Sequence, residues 1–468
     1  MRKPSPLMLA LLSVFLLGGC ASFSKDGGFG AIESATRTQI QKDTVWVRDD
    51  ATREHVQQRI DALLEKTLTA DDAVQIALLN NPGLQAALNT LGIAEADRVA
   101  ASRLPNPGFS IGRSTRGSEI EWERSLHFNL AALLTMPMRA DIEQRLFEQT
   151  RRNLTLEVLR LASDTRKAWV SAVAAAETAQ VQRDAMEAAE AGAELARRMA
   201  AAGNWSKLRQ AREQGFYADA ALNLARAEQQ QRAARERLTR LLGVWGTQTA
   251  FKLPERLPDL PTQPRDLPDI ERTALAQRLD VTAARNGAEA TARNLGLTRT
   301  TRFVNVLERG LVRNSSNESP TQKGWEIGFE LPLFDWGGAR VARAEGIYMQ
   351  SLHRAAETAI NARSEVREAY GAYRSAWDIA KHQRDEIVPL KARISEENLL
   401  RYNGMLIGVF ELLADARAQI ASVNAAIEAQ RDFWLADADL AMALVGSPGK
   451  LAVANVSSAA AADAGGGH

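Results

Sequence analysis

Apolar and polar residues alternate strictly in two separate segments of the chain. In the first segment one face is apolar: Ile120, Trp122, Leu126, Phe128 and Leu130. The opposite face of this segment is polar: Glu121, Glu123, Ser125, His127 and Asn129. The second segment alternates Trp325, Ile327, Phe329, Leu331 and Leu333 with Glu326, Gly328 and Glu330. A period of two over about ten residues predicts membrane β-strands with one lipid-facing face and one polar face.

A further strand candidate precedes each alternating segment, at residues 109–115 and 303–312. The strands are therefore predicted to lie within about 107–134 and 303–334, with a polar turn at 313–321. Arg124 interrupts the apolar face of the first alternating segment, which places it near an interface or in a loop.

Two long stretches that are almost free of glycine and proline follow the predicted strands, at residues 138–202 and 339–402. Alanine, leucine, glutamate and arginine favour helix, and about 65 helical residues make a rod of roughly 95 Å. A glycine-containing break and a second helical stretch follow each rod. The pattern predicts two helical hairpins, at about 138–245 and 339–444, which need packing partners along their length.

The chain contains an internal duplication with an offset of roughly 200 residues, because residues 73–87 return in similar form as residues 270–284. We therefore predict two pseudo-repeats, 67–252 and 269–447, joined by a proline-rich linker at 253–268. A helix is expected from about residue 69 to 103, kinked or divided at Pro82. Its equivalent is expected from about 268 to 300.

The N-terminus has the pattern of a bacterial lipoprotein signal. Arg2 and Lys3 precede an apolar run, which ends in Leu17-Gly18-Gly19-Cys20 and resembles a lipobox. This predicts a signal peptide at 1–19, a lipid on Cys20 and a lipidated segment at 20–66; a chance free thiol is the alternative. Ala21 is not the aspartate that retains lipoproteins at the inner membrane, so outer-membrane sorting in a Gram-negative cell is expected.

Composition excludes several other functions. The net charge of the 468-residue chain is +1, so the chain lacks the excess of positive charge that is typical of nucleic-acid-binding proteins. No run after Cys20 is apolar over the roughly 18 residues that a membrane helix needs. The five histidines are scattered, and no nucleophile elbow, phosphate loop or CxxC motif is present. We expect no enzyme, no metal site and no cofactor, and a disordered tail at 448–468.

Taken in order, these features resemble the TolC-like outer-membrane efflux factors, in the lipoprotein branch of that family. The resemblance covers about residues 60–450. Its motifs are the helix starts near Ala77-Leu78 and Ala274-Leu275, the strand exit Leu331-Pro332-Leu333-Phe334, and the reversals at 198–208 and 401–415. It implies a mainly α fold with membrane β-strands: a long periplasmic α-helical barrel and a trimeric 12-stranded β-barrel, four strands per chain. A homotrimer agrees with the cost of open sheet edges in lipid.

The resemblance implies the outer-membrane channel of a tripartite efflux system, which passively conducts substrates from an inner-membrane pump and a periplasmic adaptor. It also implies that the tunnel closes and the adaptor docks at two turns: Gly203, Asn204, Trp205, Ser206, Lys207 and Leu208, then Gly404, Met405, Leu406, Ile407 and Gly408. Arg209 stands where the family commonly has an acid, and the second turn carries extra residues. Glu411 and Asp415, four residues apart on one helix face, are gate candidates or an ordinary solvated face.

In the implied barrel the polar strand face lines the lumen. There the carboxylates of Glu121, Glu123, Glu326 and Glu330 tune the passage of charged solutes or are ordinary solvated groups. Trp122 and Trp325 belong to an interfacial belt or to packing between subunits. Two other functions stay open: a periplasmic adaptor lipoprotein and a lipid-anchored hydrolase. The sequence of residues 403–408 is closer to the metal- and drug-efflux branches than to protein secretion.

Overall fold

A computed structural model describes residues 22–303, 306–330 and 333–448. The predicted signal peptide, Cys20 and nearly all of the predicted tail lie outside the described residues. The helices of the first repeat and the segment before it are α1 (Phe29–Ile40), α2 (Asp50–Leu64), α3 (Ala70–Asn80), α4 (Pro82–Ala101), α5 (Leu130–Ala201) and α6 (Lys207–Leu242). Those of the second repeat are α7 (Ile270–Gln277), α8 (Leu279–Thr301), α9 (Gly338–His382), α10 (Val388–Asn403) and α11 (Val409–Val445).

Each repeat contributes one β-hairpin to a single sheet. The strands are β1 (Gly108–Arg116), β2 (Glu119–Asn129), β3 (Leu307–Ser316) and β4 (Gln322–Phe329). They pair antiparallel in the order β1-β2-β3-β4, so the two repeats meet where β2 pairs with β3. Leu126 lies opposite Leu311, and Leu311 lies opposite Trp325. The predicted fold class, mainly helical with four strands in each chain, is confirmed.

The strand boundaries differ from the prediction at both repeats. β2 ends at Asn129, because the Asn129 side chain accepts a hydrogen bond from the Ala132 amide at 2.8 Å and starts α5. β2 therefore ends five residues before the end of the region, 107–134, in which the first two strands were predicted to lie. β3 runs on through Arg313 to Ser316, into the predicted polar turn, because these residues pair with both β2 and β4.

The two helices predicted at the start of the repeats are each divided at equivalent positions. Asn81 separates α3 from α4 with an extended backbone (φ −63°, ψ 116°), and Arg278 separates α7 from α8 in the same way (φ −64°, ψ 124°). Each break binds the end of its own hairpin: Asn80 Nδ2 donates to the Gly243 carbonyl at 2.8 Å, and an Arg278 nitrogen donates to the Ala443 carbonyl at 3.3 Å. The internal duplication thus extends to the contacts that the breaks make.

The main apolar core surrounds the middle of α5, a helix of 72 residues. Trp169 is buried there, and its indole nitrogen donates to the Leu68 carbonyl at 2.8 Å. Its neighbours in the core come from α3, α6 and the segment just before the linker: Ile76, Leu79, Leu238, Leu242 and Phe251. α5 is therefore fixed at mid-height to α3, to α6 and to the segment that precedes the linker.

The second predicted rod is interrupted, whereas the first is continuous. A single π-helical turn, Gln383–Ile387, separates α9 from α10. Pro389 stands at the start of α10, and proline has no N–H to donate to the preceding turn and clashes with its carbonyl. A π-turn is a common way for a long helix to absorb such a defect.

Replacing Arg278 by alanine is expected to destabilise the second repeat by about 3–5 kcal/mol, the range for removing one partner of a buried ion pair. Arg278 is buried and binds Asp280 at 2.6 Å and Glu365 at 2.7 Å, so its loss leaves the buried Asp280 carboxylate uncompensated. Denaturant unfolding followed by far-ultraviolet circular dichroism measures the change. The control is Arg272→Ala, which breaks an exposed pair with Asp269 and should cost under about 1 kcal/mol; equal losses would contradict this account.

Candidate gate and channel lining

The turn of the first hairpin is short and closed by backbone hydrogen bonds. After α5, Gly203 takes a left-handed conformation (φ +78°), and the amide of Asn204 donates to the Met199 carbonyl at 2.9 Å. Ser206 then starts α6, since its hydroxyl accepts a hydrogen bond from the Arg209 amide at 3.3 Å. The chain reverses at residues 202–206, so Lys207 and Leu208 of the predicted turn lie in the first turn of α6.

The turn of the second hairpin exposes two large apolar side chains. Met405 has a left-handed backbone (φ +60°), uncommon for a residue other than glycine. The Leu406 amide donates to the Arg401 carbonyl at 2.9 Å, which closes the turn before α11. Met405 is 93% exposed and Leu406 is 76% exposed. Such exposure leaves apolar area available to another protein.

The two turns lie side by side at one end of the molecule. A groove of about 380 Å³ between them is lined by Trp205, Arg209, Arg212, Gly408, Val409, Phe410 and Glu411. Among the described residues, neither arginine of the groove forms an ion pair with a carboxylate. The groove combines aromatic surface with two cations, so it suits an acidic and partly apolar partner segment.

The two gate candidates have different surroundings. Glu411 is exposed and lines the groove between the turns. Asp415 is half-buried and accepts a hydrogen bond from the amide of Asn398 on α10. The four-residue spacing predicts one shared helix face, but only Glu411 faces open space in a single chain. Their role in a gate stays a prediction.

A buried ion pair just beyond the turns joins the two hairpins. Glu213 on α6, 1% exposed, accepts a hydrogen bond from Arg417 on α11. The Arg417 guanidinium also lies 3.9 Å from the ring centroid of Phe216. Sequence reasoning missed this pair because Glu213 is one of many acids along α6. Only the tertiary structure, which brings Arg417 of α11 to this one acid, distinguishes it.

The end of α5 carries an ionic cluster that persists over a wide pH range. Hydrogen bonds donated by Arg197 and Arg198 lower the pKa of Glu194 to about 2. Both donor nitrogens lie 2.8 Å from the Glu194 carboxylate. The carboxylate therefore stays ionised, and the cluster stays intact, down to acidic pH.

A chain of polar contacts crosses the whole sheet on its polar face. Ser110 on β1 lies 2.5 Å from Ser125 on β2, whose hydroxyl lies 2.6 Å from His127 Nε2. His127 Nδ1 lies 3.2 Å from the Glu326 carboxylate on β4. β3 lies between β2 and β4, and its residue opposite both His127 and Glu326 is Gly310. A Cβ atom at Gly310 would come within 2.5 Å of the Glu326 side chain. Glycine is thus needed for β2 and β4 side chains to meet.

The order Ser125, His127, Glu326 resembles that of a serine hydrolase triad, but the surroundings do not fit catalysis. Ser125 is 6% exposed and is enclosed by Ser110 and His127. β2 is a central strand that is hydrogen-bonded to β1 on one side and to β3 on the other. Its backbone amides are therefore not free to form an oxyanion hole. The contact chain therefore acts as a link between strands.

Two further observations concern the described part of the chain. No three histidine, cysteine, aspartate or glutamate side chains lie close enough there to hold a metal ion. None of the helices described is both long and apolar enough to cross a membrane.

Solved structures of outer-membrane channels share this fold. Similarity to CusC has a TM-score of 0.65 at 18% identity and covers 81% of this chain and 92% of CusC. Similarity to the channel OprN has a TM-score of 0.67 at 18% identity and covers 87% of this chain and 97% of OprN. Similarity to VceC from Vibrio cholerae has a TM-score of 0.67 at 15% identity and covers 81% of this chain and 97% of VceC. No protein-family model and no curated protein matches the chain. The resemblance to the TolC-like outer-membrane factors is confirmed as a shared fold.

Glu213→Gln is expected to weaken the link between the hairpins and to destabilise the protein by about 2–3 kcal/mol. The figure is below the 3–5 kcal/mol for fully buried pairs, because Arg417 keeps 26% of its side chain exposed. Thermal unfolding and limited proteolysis at the turns measure the loss. Glu228→Gln on the same helix breaks only exposed or half-exposed contacts with Arg183 and Arg232 and should cost under about 1 kcal/mol. Equal protease sensitivity of the two variants would contradict the assignment.

Proposed function

We propose that the protein is the outer-membrane channel of a tripartite efflux system in a Gram-negative bacterium. The observation that carries this proposal is a single sheet with one apolar and one polar face, from which two long helical hairpins project at the same end. Such a sheet suits lipid on one side and an aqueous lumen on the other. The duct performs no chemistry, and the energy for export comes from the inner-membrane pump.

The active form is proposed to be a homotrimer. In one chain β1 and β4 are open edges, and unpaired backbone groups in lipid cost several kcal/mol each. Three copies pair all these edges in a closed barrel of twelve strands. The long helices carry exposed apolar side chains that the same assembly covers: Leu222, Ile360, Ile379, Leu390 and Leu400.

The purified protein is expected to have three times the mass of one chain in mild detergent, because edge pairing and helix packing both require neighbours. Multi-angle light scattering corrected for bound detergent measures this mass. The trimer should dissociate on heating in strong detergent. A monodisperse monomer in mild detergent would overturn the proposed assembly.

Opening is proposed to occur at the two turns when an adaptor docks there. The exposed Met405 and Leu406 and the groove with Arg209 and Arg212 support docking. Glu411 and Asp415 are proposed to form acidic rings at the narrow end of the trimer, which restrict passage and favour cations. The turns at the ends of the helical hairpins then move apart and widen the tunnel.

Glu411→Ala combined with Asp415→Ala is expected to raise single-channel conductance at least about twofold and to lower cation selectivity, because both rings of carboxylates are lost. Planar-bilayer recording of the reconstituted trimer measures both quantities. The control is Glu368→Ala with Asp378→Ala, which removes the same charge from exposed positions of α9 far from the turns. Unchanged conductance and closed times in the first variant would count against the gate.

Lipidation of Cys20 and anchoring in the outer membrane are part of the proposal. The Ser24 amide donates to the buried Glu95 carboxylate at 2.7 Å, so residue 24 is held against α4, the helix that leads into β1. Cys20 is four residues before this contact, which favours an anchor on the sheet side of the molecule. A periplasmic adaptor is not favoured, because both hairpins adjoin one apolar-faced sheet. Metal ions and drugs remain the proposed substrate classes.

A further inference from the structure

The two faces of the sheet carry opposite charge. The polar face holds every carboxylate of the four strands: Glu119, Glu121, Glu123, Glu308 and Glu326. The apolar face, over the strand residues that the structure describes, holds no carboxylate and five cations: Arg113, Arg124, Arg309, Arg313 and Lys323. This face therefore combines apolar side chains with uncompensated positive charge.

The strand register aligns three of these cations in one row. Arg124 lies opposite Arg313, and Arg313 lies opposite Lys323. Neighbouring strands are about 4.8 Å apart, so the row spans about 10 Å. None of the three forms an ion pair with another described residue. Like charges directly opposite each other are destabilising, so an anion from outside the chain would stabilise this row.

The cationic row lies at the edge of the apolar belt. The next row toward the helices is wholly apolar: Phe109, Leu126, Leu311 and Trp325. The next row toward the strand turns pairs Arg113 with Trp122, and the guanidinium lies 5.9 Å from the ring centroid. Tryptophan concentrates at membrane interfaces. The row therefore lies at the headgroup level of the leaflet farther from the helices.

We propose that Arg124, Arg313 and Lys323 form a binding site for phosphate groups of anionic lipid headgroups in that leaflet. The site rests on the proposed function, since only a membrane-inserted sheet presents this face to lipid. Arginine binds phosphate through two parallel hydrogen bonds and lysine as a point charge. Arg124, which breaks the apolar pattern in the sequence, thereby obtains a partner.

The test uses the full-length trimer in detergent and two lipids with the same acyl chains, phosphatidic acid and phosphatidylcholine. Native mass spectrometry measures the ratio of their binding constants. We expect at least about a fivefold preference for phosphatidic acid, the factor for a single cation near anionic lipid. An equal concentration of inorganic phosphate should not displace the lipid. No preference in the wild type, or full displacement by phosphate, would overturn the proposal.

Variants locate the preference on the sheet. Arg124→Gln with Arg313→Gln should remove most of the preference, and Lys323→Gln, which removes one cation from an exposed strand, should reduce it by up to about fivefold. The matched control is Arg116→Gln with Arg226→Gln, which removes two cations from outside the row and should retain the full preference. An equal loss in the control and the row variant would overturn the assignment.

Conductance of the same preparations separates this inference from the function on which it rests. A wild-type trimer that conducts but shows no lipid preference would overturn the phosphate site alone. A preparation that neither assembles as a trimer nor conducts would overturn both. A row variant that conducts normally and has lost the preference is the expected result.

Discussion

Backbone pairing between β2 and β3 is the interaction on which the rest of the structure depends. These strands belong to different repeats, and each repeat alone supplies only a two-stranded hairpin, which is marginal in isolation. Their pairing brings the starts of both long hairpins to one end of the molecule. α5 begins directly at the end of β2, so the sheet decides where the first rod starts. The same geometry leaves β1 and β4 as the edge strands of the sheet in a single chain.

The two hairpins are held at several levels by contacts of different kinds. Near the middle of α5 the contacts form an apolar core around Trp169. Two linker carbonyls add to it: the Trp434 indole donates to Pro258 and the Trp377 indole donates to Pro261, each at 3.0 Å. Near the turns the principal connection is the ion pair of Glu213 with Arg417. Regions with few buried apolar contacts open at lower free-energy cost. The turns are thus the part of each chain best suited to move.

The sheet separates charge as well as polarity. All strand carboxylates face one side, where His127 and Glu326 meet across Gly310, and all strand cations except Arg116 face the apolar side. In the proposed channel, the acidic face lines the lumen and favours cation passage, whereas the cations on the lipid side favour anionic headgroups. One strand register determines both properties, since a slip of one residue exchanges the faces.

The sequence by itself determined the duplication, the two hairpins, the four strands and the positions of the turns at 203–208 and 404–408. These follow from local periodicity, glycine and proline punctuation and resemblance over most of the chain. The sequence indicated only one of the two helix breaks, because Pro82 marks the break at Asn81 and no proline marks the break at Arg278. Strand ends were misplaced, since the Asn129 cap and the pairing of Arg313 and Asn314 depend on local geometry and on neighbouring strands.

Only the tertiary structure decided which charged residues meet. Glu213 with Arg417, Glu326 with His127, and the row of Arg124, Arg313 and Lys323 join residues far apart in the chain. A single sequence shows the face on which each side chain lies but not its neighbour on the next strand or helix. Register and helix packing set those neighbours, because they are fixed by the global arrangement of hydrogen bonds and apolar contacts rather than by local preference.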